Sequence, residues 1–162
     1  MIFLELDIAT QQLSLYQANT FSKMLLKQYL VSTAKNGVGE LHGSEKTPSG
    51  LHVIRAKIGE NQPINAVFVE RRPTGEIYSP MLQQQFPQRD WILTRILWLS
   101  GLERGKNRLN EVDTMRRFIY IHGTPDDVTM GIPGSRGCIR MRNRDIIELY
   151  DLVSCGARID IG

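Results

Sequence analysis

Apolar and polar residues alternate along the first half of the chain, and this period of two predicts β-strands. Segments 2–7 and 13–16 are predicted to pair as a hairpin around residues 9–12. The polar, glycine-bearing stretch 34–47 is predicted to be a long surface loop that ends in the turn 48–50. Further strands are predicted at 28–32, 51–58 and 64–70, the last followed by a turn at 72–75.

The second half of the chain carries helical spacing at two places. Ile92, Ile96 and Leu99 fall on one side of segment 91–101, so a helix is predicted there. Asp90 is suited to cap that helix and Gly101 to end it.

A second helix is predicted to begin at Asn143 as its N-cap. Its apolar residues recur at i, i+3, i+4 and i+7, namely Ile146, Leu149, Tyr150 and Val153. Strands at 117–122 and 157–161 lie on either side, and 123–137 is a loop rich in Gly and Pro. The pattern predicts one β-rich (α+β) domain over residues 1–162 with two principal helices.

Composition narrows the class of protein. With 41% hydrophobic and 23% charged residues, the 162-residue chain can bury a core, which excludes intrinsic disorder. The net charge is only +3, and no aromatic residues interleave with a basic block, so no nucleic-acid partner is expected.

Targeting signals are not evident in the sequence. Glu5 and Asp7 stand where a secretory signal would carry basic residues and then an apolar run. The most hydrophobic stretch, 91–102, is well short of the ~20 residues of a membrane span. We therefore expect no membrane partner and a cytoplasmic location, or a periplasmic one if a native leader is missing from this chain.

The segment from His122 to Cys138 carries the candidate chemistry. His122 follows a predicted strand, and Cys138 follows a loop that can fold back onto it. A thiol at its ordinary pKa of about 8.5 is mostly protonated at neutral pH, and a neighbouring imidazole is its usual activator. Gly137 would let backbone N–H groups approach a reacting carbonyl. This pair is sufficient for acyl transfer.

Two other interpretations compete with that one. A free cysteine is more often a small buried apolar residue, and a histidine after a strand is more often structural. A zinc site of Cys138, His122, His42 and His52 lacks the close paired spacing of known zinc motifs. We expect no metal and no other cofactor. Cys155, beside Gly156, is interpreted as structural.

The motifs together resemble a known family. Thr47-Pro48-Ser49-Gly50, IHGT at 121–124 and IPGSRGCIRMRNRDIIELYDLV at 132–153 resemble the L,D-transpeptidase catalytic domain, also called the YkuD domain, over residues 2–162. The most specific part is HG followed by SxGCxR, with sixteen residues from His122 to Cys138. The resemblance implies a sandwich-like β fold and a cysteine acyltransferase that acts on peptidoglycan stem peptides.

The resemblance also implies roles for the site residues. Cys138 would attack the carbonyl on the L side of the bond between a diamino acid and D-alanine and form a thioester. His122 would be the general base. Ser135 and Gly137 would shape the nucleophile loop, and the backbone N–H groups of Gly137 and Cys138 would bind the oxyanion. Carbapenems would be expected to acylate Cys138.

Four more positions are predicted around this centre. Arg136 stands where many members have His, and its guanidinium either meets a substrate carboxylate or is a solvated loop residue. Arg140 is a substrate-binding residue or a structural cation that holds the loop. Gly123 and His52 are predicted on the substrate side, His52 because the strand after the TPxG turn runs near the catalytic loop in this family.

The expected activity follows from the absence of a visible leader. A cytoplasmic enzyme would meet soluble muropeptides, so water would resolve the thioester, as in the leaderless L,D-carboxypeptidase subgroup that trims tetrapeptides in wall recycling. The alternative is L,D-transpeptidation that forms 3-3 cross-links or exchanges D-amino acids. A non-catalytic peptidoglycan-binding or regulatory module is a third hypothesis, against which the intact Cys138 and His122 argue.

Overall fold

The computed structural model describes residues 1–162 and is built mainly from strands. In chain order the elements are β1 Ile2–Asp7, β2 Gln12–Ala18, β3 Lys23–Ser32, β4 Gly50–Ile58, β5 Ala66–Val69, β6 Arg72–Ile77, α1 Pro80–Gln85, β7 Ile92–Gly101, β8 Tyr120–Thr124, β9 Ile139–Arg142, α2 Asn143–Leu152 and β10 Arg158–Ile161. A short 3₁₀ turn occupies Asn110–Val112. No helix is long and apolar enough to cross a membrane.

The strands form one sheet that closes on itself. Their order is β4-β10-β1-β2-β3-β9-β8-β7-β5-β6, and β4 also pairs with β7. Eight strands therefore make a hydrogen-bonded ring, and the β5–β6 hairpin extends from β7. Closure removes most exposed strand edges and encloses one main core of 19 buried residues. The predicted β-rich fold is confirmed.

The alternation in the first hairpin and the periodicity of α2 are both confirmed by burial. Leu4, Leu6, Leu13 and Leu15 are at most 2% exposed. Ile146, Leu149, Tyr150 and Val153 of the predicted second helix belong to the main core.

The start of α2 differs from the prediction. Arg142 occupies the N-cap position and makes no side-chain cap bond. The Asn143 side chain is buried instead and accepts a hydrogen bond from the Thr94 hydroxyl at 2.6 Å. Asn143 is therefore an internal polar anchor and not the predicted cap.

The helix predicted at 91–101 is wrong, because this segment is strand β7. β7 pairs with β4, β5 and β8, and its apolar side chains are buried on both faces. A strand that is buried on both faces has a continuous run of apolar residues in its sequence. Hydrophobic periodicity cannot distinguish such a run from a buried helix. A register shift between Leu93 and Ile96 further imitates helical spacing.

The other helix of the fold, α1, was not predicted. Pro80 stands at its first turn, and the Ser79 hydroxyl accepts a hydrogen bond from the Leu82 N–H at 3.1 Å. The turn predicted at 72–75 also lies elsewhere, since those residues are in β6. The connection between β5 and β6 is Glu70-Arg71.

Candidate active site

The parallel pair β8–β9 brings the chemical residues together. Its register places Ile121 opposite Ile139 and His122 opposite Arg140. Side chains alternate along a strand, so Tyr120 and His122 share one face of β8, and Cys138, just before β9, shares a face with Arg140. All four line one cavity of about 390 Å³.

Cys138 lies partly exposed in this cavity and is not part of a disulfide. Its Sγ accepts a hydrogen bond from the Tyr120 N–H at 3.3 Å and donates to the Phe118 carbonyl at 3.4 Å. Burial raises the pKa of Cys138 to about 12, although the Tyr120 N–H and the charges of Arg117 and Arg140 oppose this rise. The imidazole therefore does not hold a thiolate in the free protein, and the proton must leave during the reaction.

His122 is oriented by the residue that follows it. Its Nδ1 donates to the Gly123 carbonyl at 2.6 Å, and because a carbonyl only accepts, the proton must sit on Nδ1. Nε2 is then the basic nitrogen. Burial lowers the pKa of His122 below its usual range, so the imidazole is neutral at pH 7 and can accept a proton.

Gly123 positions the imidazole and does not line the Cys138 cavity, which differs from the predicted substrate contact. A Cβ at this position would lie 2.4 Å from Asn143 Oδ1 and 2.6 Å from the Leu93 carbonyl oxygen. Only glycine fits there, so packing requires glycine beside the candidate base.

Hydrogen bonds tie the nucleophile loop down. The Ser135 hydroxyl donates to the Cys138 carbonyl at 2.6 Å and accepts from the Gly137 N–H at 3.2 Å. Gly137 has φ +135°, and a Cβ there would lie 3.2 Å from the Ile119 side chain. The Gly137 N–H predicted to bind an oxyanion is thus already hydrogen-bonded to Ser135.

Thr47 holds the same loop from the other side, a role that the sequence analysis missed. Its buried hydroxyl donates to the Gly137 carbonyl at 2.9 Å and accepts from the Ala34 N–H at 2.9 Å. Arg117 braces the segment leading to Thr47 through the carbonyls of Gly39 and Lys46, at 3.1 and 2.6 Å. Thr47 is the first residue of the TPSG turn, and this motif was the only feature of the sequence that pointed to a role for Thr47.

Positive charge is concentrated around Cys138. The cavity is lined by four arginines, Arg71, Arg117, Arg136 and Arg140, and by two acids, Glu70 and Asp90. None of these six side chains belongs to the ion pairs of the protein. The surplus of two positive charges suits a ligand that carries carboxylates.

Arg136 and Arg140 both line the cavity, as the substrate-side assignments require. Arg136 is exposed. Arg140 donates from Nη2 to the Ser32 hydroxyl at 2.9 Å, and its Nε is buried without a partner. Arg140 therefore holds Ser32, whose hydroxyl donates to the Ile132 carbonyl of the loop at 2.7 Å, and it also faces the cavity.

The structure does not bring His52 to the site. His52 is fully buried, with its Nδ1 at 2.9 Å from the Gly50 carbonyl and its Nε2 at 2.9 Å from the Thr114 hydroxyl. It does not line the cavity, so the predicted substrate contact is wrong and the residue is structural. The structure also does not bring together the four residues of the zinc alternative, since the His52 ring bonds to Gly50 and Thr114 away from the cavity of Cys138 and His122.

Comparisons with known proteins identify the family and the fold of the chain. The family described as the L,D-transpeptidase catalytic domain (YkuD) matches residues 2–161. A putative L,D-transpeptidase YkuD from Bacillus licheniformis is 51% identical over 41 residues, 25% of each chain.

Solved structures share the fold. The structure of Bdellovibrio bacteriovorus Bd1075 superposes with a TM-score of 0.59 at 19% identity, covering 99% of this chain and 47% of that one. The L,D-transpeptidase LdtMt1 in complex with imipenem gives 0.55 at 15% identity, with 99% and 58% coverage. The chain thus spans about half the length of these proteins.

Proposed function

The chain belongs to the L,D-transpeptidase catalytic domain (YkuD) family, and from that premise we propose that it is a cysteine enzyme that removes the terminal D-alanine from peptidoglycan tetrapeptides. The observation that carries the proposal is the shared cavity of Cys138 and His122, in which the imidazole presents Nε2 as its basic nitrogen. Neither group is charged at rest, so the proton moves from Sγ to Nε2 as the sulfur attacks.

The first half of the reaction forms a thioester. Cys138 Sγ adds to the carbonyl carbon of the diamino acid while His122 Nε2 takes the thiol proton. The Tyr120 N–H, 3.3 Å from Sγ, stabilises negative charge on the sulfur. The imidazolium then gives its proton to the leaving nitrogen, the C–N bond breaks, and D-alanine departs.

Water completes the cycle in this proposal. His122 Nε2 takes a proton from water as the water oxygen adds to the thioester carbonyl. The C–S bond then breaks, and the imidazolium returns the proton to the leaving sulfur, which restores the thiol. The charge of the cavity supports hydrolysis over cross-linking, because a cross-linking acceptor is an amine that is cationic at neutral pH. It would enter a cavity with two surplus positive charges, whereas water meets no such repulsion.

Incubation with a purified tetrapeptide muropeptide tests the proposal. Mass spectrometry should show tripeptide and free D-alanine, and Cys138→Ala should yield neither. Cys155→Ala is the matched control, since Cys155 is exposed and outside the cavity. A wild-type protein that leaves the tetrapeptide intact would favour a non-catalytic binding module.

Transpeptidation is the second candidate, favoured by the names of the curated relatives and by Glu70 and Asp90, whose carboxylates can attract an incoming ammonium group. Addition of D-methionine separates the two activities. An exchange enzyme would form the D-methionine-terminated peptide in preference to tripeptide. Dominant cross-linked dimers would overturn the carboxypeptidase proposal and leave Cys138 and His122 in their roles.

A further inference from the structure

The turn between β5 and β6 has a backbone that its residues do not favour. Val69 pairs with Arg72, so Glu70 and Arg71 form a two-residue connection, and both have positive φ, 48° and 64°. Such turns prefer Asn-Gly, because side chains with a Cβ are strained at positive φ. Backbone strain of this kind persists where the surroundings impose it, and it clusters at ligand sites.

The surroundings of Arg71 hold its guanidinium in one place. The group lies 4.7 Å from the centre of the Phe118 ring and 5.0 Å from that of Trp98. Its Nη1 donates to the Tyr120 hydroxyl at 3.0 Å. No acidic side chain pairs with it, and its remaining N–H groups have no acceptor in the protein.

The other three arginines of the cavity are less suited to hold an anion. Arg117 donates to the loop carbonyls of Gly39 and Lys46, and Arg136 is exposed and makes no side-chain hydrogen bond. Arg140 donates to Ser32, and its Nε, although without a partner, is buried and not open to a ligand in the cavity. Arg71 is both fixed and unsatisfied, and ordering it would cost a ligand little conformational entropy.

Tyr120 sets the distance from Arg71 to the nucleophile. Its backbone N–H contacts Cys138 Sγ, and its hydroxyl contacts Arg71, so one tyrosine side chain separates the guanidinium from the reacting sulfur. In a tetrapeptide, one residue of at most about 3.6 Å separates the attacked carbonyl from the C-terminal carboxylate. Because the carboxylate stays this close to the attacked carbonyl and Arg71 lines the same cavity as Cys138, the guanidinium borders the space that the C-terminus of the peptide enters.

We propose that Arg71 is a specificity-determining residue that binds the C-terminal carboxylate of the D-alanine to be released. This inference rests on the proposed function and deepens it. The unsatisfied N–H groups of Arg71 donate to the two carboxylate oxygens, and Tyr120 is the positioning residue that holds the guanidinium. The enzyme then selects peptides in which the scissile bond precedes the last residue and rejects those that continue or end in an amide.

Binding to the inactive Cys138→Ala protein tests the proposal without turnover. Calorimetry compares a synthetic tetrapeptide as free acid with the same peptide as C-terminal amide. The acid should bind about 10- to 100-fold more tightly, as expected for a charge-assisted hydrogen-bonded pair. Adding Arg71→Met should remove this difference, and Arg71→Lys should retain part of it because the charge remains.

Arg72→Met is the matched control. Arg72 is the next residue, is exposed and does not line the cavity, so its variant should keep the full preference for the acid. A third peptide, whose diamino acid lacks a side-chain carboxylate, distinguishes the other possible anion. If Arg71→Met instead removes the preference for that side-chain carboxylate, the assignment to the C-terminus is overturned.

The outcomes separate this inference from the function on which it rests. Equal binding of acid and amide to the Cys138→Ala protein overturns the role of Arg71 and leaves the proposed function standing. Binding of neither peptide overturns both. Thermal melts of each variant establish that it is folded, and a folded Arg71→Met protein that keeps the preference for the acid also overturns the proposal.

Discussion

Thr47→Val should loosen the nucleophile loop while nearly preserving the shape of the side chain. The substitution leaves two buried backbone groups without a partner, the Gly137 carbonyl and the Ala34 N–H. An unsatisfied buried group costs about 1–3 kcal/mol, so the free energy of unfolding should fall by about 2–6 kcal/mol. In a domain of this size, each 1 kcal/mol lowers the melting temperature by about 2–4 °C.

Activity should fall by more than stability alone explains. Gly137 precedes the nucleophile, and a misplacement of the order of 1 Å can cost about 100-fold in rate. Release of D-alanine is measured well below the melting temperature, so that only folded protein contributes. Thr47→Ser keeps the hydroxyl and should retain most of both properties, and Thr129→Val, at an exposed threonine, should change neither. A Thr47→Val protein with wild-type melting and turnover would refute the role of the Thr47 hydroxyl in holding the nucleophile loop.

Five further predictions concern the reacting pair. Cys138→Ala should abolish release of D-alanine while Cys155→Ala leaves it intact, and the reverse result would exchange the roles of the two thiols. Burial raises the pKa of Cys138 to about 12, so alkylation of Cys138 by iodoacetamide should increase about tenfold per pH unit beyond pH 9. A plateau below pH 8 would instead indicate a resting thiolate. The Cys138 thiol loses its proton at lower pH in the unfolded state than in the folded state, so the free energy of unfolding should fall as pH rises above about 9. In urea titrations, Cys138→Ala should remove this part of the decline. His122→Ala should cost about 10²–10⁴-fold in rate, and a smaller loss would contradict its role as base. Carbapenems should add to intact protein, seen as a mass increase that is lost in Cys138→Ala, and an adduct that persists in that variant would place the reaction elsewhere.

The local sequence pattern was sufficient to predict those helices and strands that have one face against the core. The leucines of the first hairpin and the apolar stripe of α2 each mark a single buried face, so their periods of two and of about 3.6 are visible in the sequence. The His122 and Cys138 pair was identified for a different reason, because HG followed by SxGCxR resembles a known family, whereas the local pattern alone favours structural roles for both residues.

Contacts distant in sequence were not predictable by the same reasoning. Arg71 carries no motif, and its place in the cavity depends on a turn at positive φ and on Trp98, Phe118 and Tyr120 from other parts of the chain. His52 was predicted near the site because, in the family that the sequence resembles, the strand after the TPxG turn runs near the catalytic loop. In the structure its ring bonds to Thr114 inside the protein, a pairing that sequence separation hides.

The wrongly predicted segment β7 is also the one that supports the base. Two extra residues of β7, Thr94 and Arg95, interrupt its pairing where Gly123 and His122 of β8 follow each other. Thr94 has φ 76°, and its hydroxyl donates to Asn143, whose side-chain oxygen bounds the space that only a glycine at 123 can occupy.

A bulge of this kind interrupts regular strand pairing and changes the direction of nearby side chains. Here it lies opposite His122, whose Nδ1 donates to the Gly123 carbonyl. Two errors of the sequence prediction therefore have one explanation, which is the requirement to hold His122 in one tautomer and one orientation. The bulge gives β7 its helix-like apolar spacing, and Asn143 is buried beside Gly123 instead of capping α2. A positioned base requires irregular backbone at this point of the sheet, against the local preference of the residues. Predictions from the local sequence pattern are therefore expected to fail here.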